Sequence, residues 1–503
     1  LENTQQSGGK SLVEILNARL EKLQKIKELN INPYQYEFPK SHTCESVKQD
    51  FDKLFEKNRV SIAGRIMSMR KMGRASFCHI LDESGQVQLY FQEDKVGKET
   101  YKLFKLLDIG DIIGVNGDVF KTRTGEITVL VSELNLLSKN LRPLPIVKEK
   151  DGRVFDAFTD KEQRYRQRYL DLIVNPDVRK VFRIRSQIIQ WTRDFLNENG
   201  FLEVETPILQ AIYGGASARP FRTHYNALDQ DFYLRIADEL YLKRLIIGGF
   251  EKVYEIAKNF RNEGIDRNHN PEFTLLEFYQ TYVDYNYLME FVEAYFKSIA
   301  KKMGKERFRF EDNEIDLSLP FTRKRMFDLI NEYIGYDLSE ADEKQLITIC
   351  NEKGLEIKPG DNYGSLIDLI FKNYVEPNLI QPTYVMDYPR AISPFAKRKR
   401  GEQDSIVERF ELFIGGQEFA NAFSELNDPT DQRDRLETQN RLREAGDEEA
   451  HIMDEDFLTA MEYGMPPTGG VGIGIDRVVM LFTNQRSIKD VILFPQLRTN
   501  PSP

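Results

Sequence analysis

Apolar residues recur in this chain with two different periods, and the switch between them limits the fold more than any other feature. Over residues 11–29, SLVEILNARLEKLQKIKEL, apolar positions 12, 13, 15, 16, 20, 23 and 26 keep a helical spacing. The stretch NINPYQYEFPKS then breaks the helix with two prolines. From about 57 to 138 the texture becomes short alternating runs: RVSIAGRIMSMR, ASFCHILDES, GQVQLYFQE, DIIGVNGDVFKT and GEITVLVSELNLL. Five short strands and one helical insert, KETYKLFKLL, predict a small Greek-key barrel.

That barrel accounts for a small part of 503 residues, and a chain of this length exceeds one core. The proline-bearing, charged stretch KNLRPLPIVKEKDG reads as a linker. Beyond it the pattern predicts a long helix over about 177–199, stopped by Gly200. The runs FYLRIA, KVYEIA, FTLLEFY, ERFELFIGG and EFANAFSEL then suggest a mainly antiparallel sheet. A helical section is expected over about 301–380, and GGVGIGIDRVVMLFT reads as a strand running into a helix. The expected class is α+β: a helical extension to 55, a barrel over 56–140, a linker over 141–160, a second domain over 161–497 and a tail over 498–503.

Composition narrows the chemistry. Hydrophobic residues make up 41% and no apolar run reaches eighteen residues, so a globular chain without a membrane span is expected. The start is polar, lacks the apolar core of a secretion signal and does not begin with Met, which reads as a trimmed terminus. Cys44, Cys78 and Cys350 are far apart, which fits a reducing cytoplasm and gives no zinc or disulfide frame. The five histidines show no metal-ligand spacing. A net charge of −10 argues against indiscriminate nucleic-acid binding, although residues 161–190 hold eight Lys/Arg against three Asp/Glu. On its own that segment also reads as one solvated helix face.

Three short stretches carry the candidate chemistry. In NFRNEGIDRNHNPEF, residues 259–273, two strands flank a polar turn, and Arg261 and Glu263, two apart on a strand, are expected to share a face. An exposed hairpin laced with surface ion pairs fits those residues equally well. GFLEVETP joins a helix end at Gly200 to an extended segment closing on Pro207. In GGVGIGIDRVV, Gly470, Gly472 and Gly474 alternate with Val471, Ile473 and Ile475, baring the backbone on one face so that something flat can lie close. A close-packed strand crossing is the plainer alternative. The spacing is not that of a dinucleotide-binding loop.

Together the three stretches resemble motifs 1, 2 and 3 of the class II aminoacyl-tRNA synthetases. The matching residues are Gly200, Phe201, Val204 and Pro207; then Arg261, Glu263, His269 and Phe273; then the glycine strand with Asp476-Arg477. The generic third motif has Glu before its Arg, and Asp at that position is similar to lysine-specific members. GGASARPF, RIADELYLKRLIIGGFEKVYEI, HNPEFTLLEFY and NAFSELNDP also resemble the lysyl branch, as does a barrel of the OB type preceding the catalytic domain. The resemblance covers nearly all of residues 11–497.

It implies a catalytic domain that joins lysine and ATP to an adenylate and passes lysyl to the terminal ribose of tRNA(Lys), typically at the 3′-hydroxyl. Arg261, Glu263 and Arg477 match the catalytic positions, and His269 and Phe273 complete the ATP contacts with Glu411. Glu411 and Glu418 match the Mg²⁺ carboxylates. Gly215 and Glu239 match the α-amino side of lysine, Arg261 and Asn421 the carboxylate side. Glu277, Tyr279, Phe423 and Glu425 match the far end. Arg70, Phe77, Gln88 and Glu126 match anticodon-reading positions on the barrel. The resemblance also implies a cytoplasmic homodimer joined through motif 1. Free-standing lysine ligases that modify a translation factor generally lack the barrel, a non-catalytic paralogue would lose Arg261, Glu411 or Arg477, and an aspartyl or asparaginyl enzyme is disfavoured by Glu277 and Glu425.

Overall fold

The computed structural model describes residues 11–498 apart from 56–58, 146–147, 151–152, 156–157, 359, 402–404, 445 and 447–448. The first ten residues and the end of the expected tail therefore lie outside the described residues. Two compact units form, Leu1–Val174 and Asn175–Pro503.

The first unit opens on α1 (Leu12–Glu28), started by a reciprocal cap in which Ser11 and Glu14 satisfy each other's backbone N–H groups. Five strands follow: β1 (Arg59–Met72), β2 (Ala75–Leu81), β3 (Gln86–Gln92), β4 (Ile112–Lys121) and β5 (Ile127–Ser138). They close into a barrel in the order β1-β2-β3-β5-β4, with only the β3–β5 pair parallel. The period-two pattern does this directly. Val60, Ile62, Ile80, Leu89 and Val129 point inward, while the residues between them face out. Helix α2 (Lys98–Leu106) adds buried Tyr101 and Phe104 to that core. Within the expected linker, Lys148–Lys150 pairs with Arg153–Phe155 as a short antiparallel hairpin.

The second unit is built on an eight-stranded sheet. Its strands are β6 (Leu202–Glu203), β7 (Lys252–Phe260), β8 (Glu272–Thr281), β9 (Thr322–Arg325), β10 (Thr383–Pro389), β11 (Ile406–Ile414), β12 (Gln417–Ser424) and β13 (Thr468–Gly474). The spatial order is β9-β10-β11-β12-β13-β8-β7-β6, and every pair is antiparallel except the two at the edges. One face buries Leu276, Phe278, Ala420, Ala422, Val471 and Ile473. In the same core are buried residues of α3 (Pro176–Glu198), α5 (Tyr285–Met303) and α6 (Ile475–Thr483). Burying six such side chains contributes on the order of 10 kcal/mol before chain entropy is subtracted. The opposite face carries polar side chains, and helix α4 (Glu239–Ile247) borders it.

Two expectations are corrected. The section from 301 to 380 is not helical throughout: after α5 it begins with a β-hairpin, Arg307–Phe310 with Asn313–Asp316, and with β9, before helices at Met326–Ile334, Glu343–Glu352 and Tyr363–Tyr374. The alternation RFRF over 307–310 buries Phe310, a strand period inside a section read as helical. The second correction concerns Arg261 and Glu263, which do not share a strand face. Strand β7 ends at Phe260, because the next backbone groups turn to other partners. Arg261 N–H still reaches Pro271 O at 2.9 Å, but Asn262 N–H donates to Arg219 O at 2.8 Å, away from the hairpin.

Candidate active site

Four neighbouring strands set the site, and the register explains why one of the inner two, β13, needs glycine. Tyr279, Gly470, Phe423 and Arg409 stand opposite one another across β8, β13, β12 and β11. The next row on the same face is Glu277, Gly472, Asn421 and Glu411. At Gly470 a β-carbon would overlap the Glu425 carboxylate and the Tyr279 ring. The bare backbone expected to receive something flat is therefore occupied at Gly470 by the protein's own side chains. At Gly472 a β-carbon would meet nothing closer than 3.9 Å, so the floor opens there.

Above these rows lies a cavity of about 820 Å³. All fourteen candidate residues of this domain line it: Glu277, Tyr279, Glu411, Asn421 and Phe423 of the two rows, together with Gly215, Glu239, Arg261, Glu263, His269, Phe273, Glu418, Glu425 and Arg477. Arg261 projects from the end of β7 with its guanidinium 5.0 Å from the Phe273 ring centre. Arg261 lines the cavity, and its buried Nε has no hydrogen-bond partner among the described residues. His269 is held by Asp266, whose carboxylate lies 2.9 Å from Nδ1 and also accepts from two backbone N–H groups of the turn. Arg477 reaches Glu418 Oε2 at 3.4 Å. Asp476, buried at the cavity wall, accepts from Thr274 N–H and from the Arg185 guanidinium, each at 2.6 Å. One buried carboxylate thereby ties α3, β8 and α6 together.

Charge divides the cavity into two ends. At one end Glu239, Glu277 and Glu425 are buried. Burial pushes the Glu425 carboxyl up to about 8 against the opposing pull of Lys243, and Glu277 is driven well above the carboxylate range by burial and by Asp238 and Glu239. Glu277 accepts from the Tyr279 hydroxyl at 3.3 Å, while Glu425 Oε1 has no hydrogen-bond partner among the described residues. This end is short of positive charge. At the other end burial, then the neighbouring Glu418 charge, pushes Glu411 up to about 7. Arg409 and the Tyr388 hydroxyl hold Glu411 at 2.6 and 2.8 Å.

Two facing carboxylates that repel one another fit a dication. Among the described residues no three His, Cys, Asp or Glu side chains converge to hold a metal by themselves. That suits Mg²⁺, which is typically bound by one or two carboxylates plus substrate phosphates.

On the barrel, the four anticodon candidates share the outer surface. Arg70 stands opposite Phe77, and Phe77 stacks on Tyr90 with ring centres 4.5 Å apart. Gln88 Nε2 donates to Glu126 at 2.7 Å, and His79 also contacts Glu126. Tyr90 and His79 had escaped sequence reading, although both occupy outward positions of the same alternation. In the catalytic unit Arg409 was missed too, two residues before Glu411 on one strand. Lys243, one helical turn after Glu239, was a further omission.

The barrel and the glycine-floored cavity define the class. A family model described as tRNA synthetases class II (D, K and N) matches residues 160–498, and one described as an OB-fold nucleic acid binding domain matches residues 60–137. A lysine–tRNA ligase of Pelotomaculum thermopropionicum is 54% identical over 491 residues, covering 97% of this chain and 95% of the relative. One from Carboxydothermus hydrogenoformans is 53% identical over 97% of this chain and 98% of its own length. Another, from Porphyromonas gingivalis, is 50% identical over 95% of this chain and 85% of the relative. With such identity along nearly the whole sequence, the chain belongs to the lysine–tRNA ligase family within class II.

Proposed function

We propose that this chain activates L-lysine with ATP, releasing pyrophosphate, and transfers lysyl from the adenylate to the 3′-terminal ribose of tRNA(Lys). The observation that carries the reading is the acidic, partly uncompensated end of the cavity. A substrate with two ammonium groups supplies the charge that Glu239, Glu277 and Glu425 lack. In this reading Gly215 and Glu239 receive the α-ammonium, and Arg261 and Asn421 the carboxylate. Glu277, Glu425 and the Tyr279 hydroxyl receive the ε-ammonium, with Phe423 along the methylenes.

The first step brings a carboxylate to a polyanionic phosphate, so positioning and fixed cations matter more than a general base. Arg261 bridges the lysine carboxylate and the α-phosphate, a planar bidentate task suited to a guanidinium. Phe273 stacks on adenine, Glu263 reads its amino group, and His269 and Arg477 hold the far phosphates. Mg²⁺, when bound by Glu411 and Glu418, neutralises charge on the triphosphate. Lysine-dependent ATP–pyrophosphate exchange followed by tRNA(Lys) charging tests this directly. Exchange with no preference for lysine would overturn it.

The acidic end also sets a pH dependence. Glu425 has a folded-state pKa raised to about 8, so its protonated form contributes stability at low pH that is lost as pH rises through that value. Lysine binds the ionised form. Its affinity should therefore rise about tenfold per pH unit below that pKa, and calorimetric titration between about pH 6 and pH 8 reads it. An affinity flat in pH would assign the ε-ammonium to other groups.

The expected domain division carries over into this proposal, with the barrel reading the anticodon through Arg70, Phe77, Gln88 and Glu126. Stacking a base on one aromatic contributes about 1–3 kcal/mol, so Phe77→Ala should weaken tRNA charging while leaving pyrophosphate exchange nearly unchanged. Equal loss in both assays would make Phe77 a structural residue.

We place this chain in the cytoplasm, as its unpaired cysteines suggest, and propose a homodimer through motif 1. Leu202 on the β6 edge strand, and Ile208, Leu209 and Phe250, are each 44–49% exposed. A two-fold partner would cover that edge with the same surface. Sedimentation at micromolar concentration should give twice the chain mass, and a fully active monomer would exclude it.

A further inference from the structure

Helix α4 brings a buried cation to the acidic end from outside the cavity. Lys243 follows Glu239 by one turn and is 1% exposed. Its ammonium pairs with Glu239 on its own helix and, at 2.5 Å, with Glu425 beyond the end of β12. The Phe395 and Phe423 rings flank it, with centres at 4.8 and 5.4 Å. Glu239, Glu425 and both rings line the cavity, whereas Lys243 does not. The ammonium therefore reaches the two carboxylates from behind the wall.

We infer that Lys243 is a positioning residue that determines lysine selectivity, by joining Glu239 and Glu425 through one buried ammonium that orients both acids toward the substrate and favours their ionised forms. This rests on the lysine-pocket reading given above. The two acids meet opposite ends of the substrate in that reading, one the α-ammonium and one the ε-ammonium. A shared cation fixes the two acids relative to one another. It also supplies a counter-charge without occupying substrate space.

The surrounding charges agree. Burial disfavours the ammonium, but Glu239 and Glu425 outweigh it and raise the Lys243 pKa, so it stays charged. Burial raises Glu239, burial and then the Glu239 charge raise Glu425, and Lys243 opposes the shift at both. The other titratable groups facing this end are Glu277 and Tyr279 on β8 and Asp238 before α4. Arg409 on β11 favours ionisation of Glu239, and His451 is held neutral, its pKa down to about 4 by burial and by Lys243. Among the described residues none of these forms an ion pair with Glu425 in place of Lys243.

The test is steady-state pyrophosphate exchange by the full chain, wild type, Lys243→Met and Lys243→Arg, with lysine and with norleucine. At neutral pH a carboxyl raised by one or two pKa units is ionised roughly ten to a hundred times less often. Lysine KM should therefore rise about 10- to 100-fold in Lys243→Met and recover toward pH 9, with ATP KM unchanged and discrimination against norleucine reduced. Lys243→Arg should restore most of the loss. A folded Lys243→Met with wild-type lysine KM, or with a loss flat in pH, would overturn the inference. If that variant does not fold, Lys243→Gln gives the same readouts, judged by the same outcomes. A wild-type protein that does not prefer lysine would defeat the pocket reading itself; a lysine-specific wild type with indifferent variants would defeat only the role of Lys243.

Discussion

Glu425→Gln should lower lysine kcat/KM by roughly two to three decades, which corresponds to removing one partner of a buried charged pair at about 3–5 kcal/mol. The substitution keeps the shape of the side chain, so the Gly470 and Tyr279 packing survives while the charge is lost. Glu425 is buried, and its Oε1 is free of hydrogen bonds among the described residues, so the ε-ammonium has a ready acceptor. Lys243 retains Glu239 in the variant, which limits the damage to the fold. ATP binding should be nearly unchanged, because Arg261, Phe273 and Arg477 lie at other positions on the cavity wall. Calorimetry with ATP and exchange with lysine on the same variant separate the two effects. If lysine activation survives within a few-fold, Glu425 is a structural acid and the ε-ammonium lies elsewhere.

The parts of this site that were legible in the sequence are those fixed by local periodicity. Alternation alone places Glu277 beside Tyr279 and Glu411 in a strand, and it gives the barrel its inward and outward residues. The glycine strand was equally visible. What its glycines make room for was not, because Glu425 and Tyr279 meet Gly470 only through strand pairings between residues about 50 and about 190 positions apart. Lys243 had a local signal, the four-residue step from Glu239 on a helix. Its second partner, Glu425, is far off in the chain, so its importance lay in tertiary contact. The hairpin that ends at Phe260 failed for a related reason: Asn262 pairs with Arg219, a contact that no period in 252–263 announces.

Arg261→Ala should cut the kcat of lysine-dependent exchange by about 100- to 1000-fold, the usual cost of removing one fixed donor aimed at developing negative charge. The side chain leaves β7 where the strand gives way to the turn, which directs it over the cavity floor and 5.0 Å from Phe273. Burial disfavours its charge, while Glu263, Glu418 and Glu277 favour it, so a guanidinium is held beside an acidic floor ready for an anionic ligand. An ammonium could supply charge at that point but not two parallel donors. Arg261→Lys should therefore recover only part of the rate. The adenine contact through Phe273 should persist in both variants, so ATP affinity without lysine should fall far less than kcat. A loss confined to KM, with kcat intact, would mean that Arg261 contributes equally to ground state and transition state and serves binding alone.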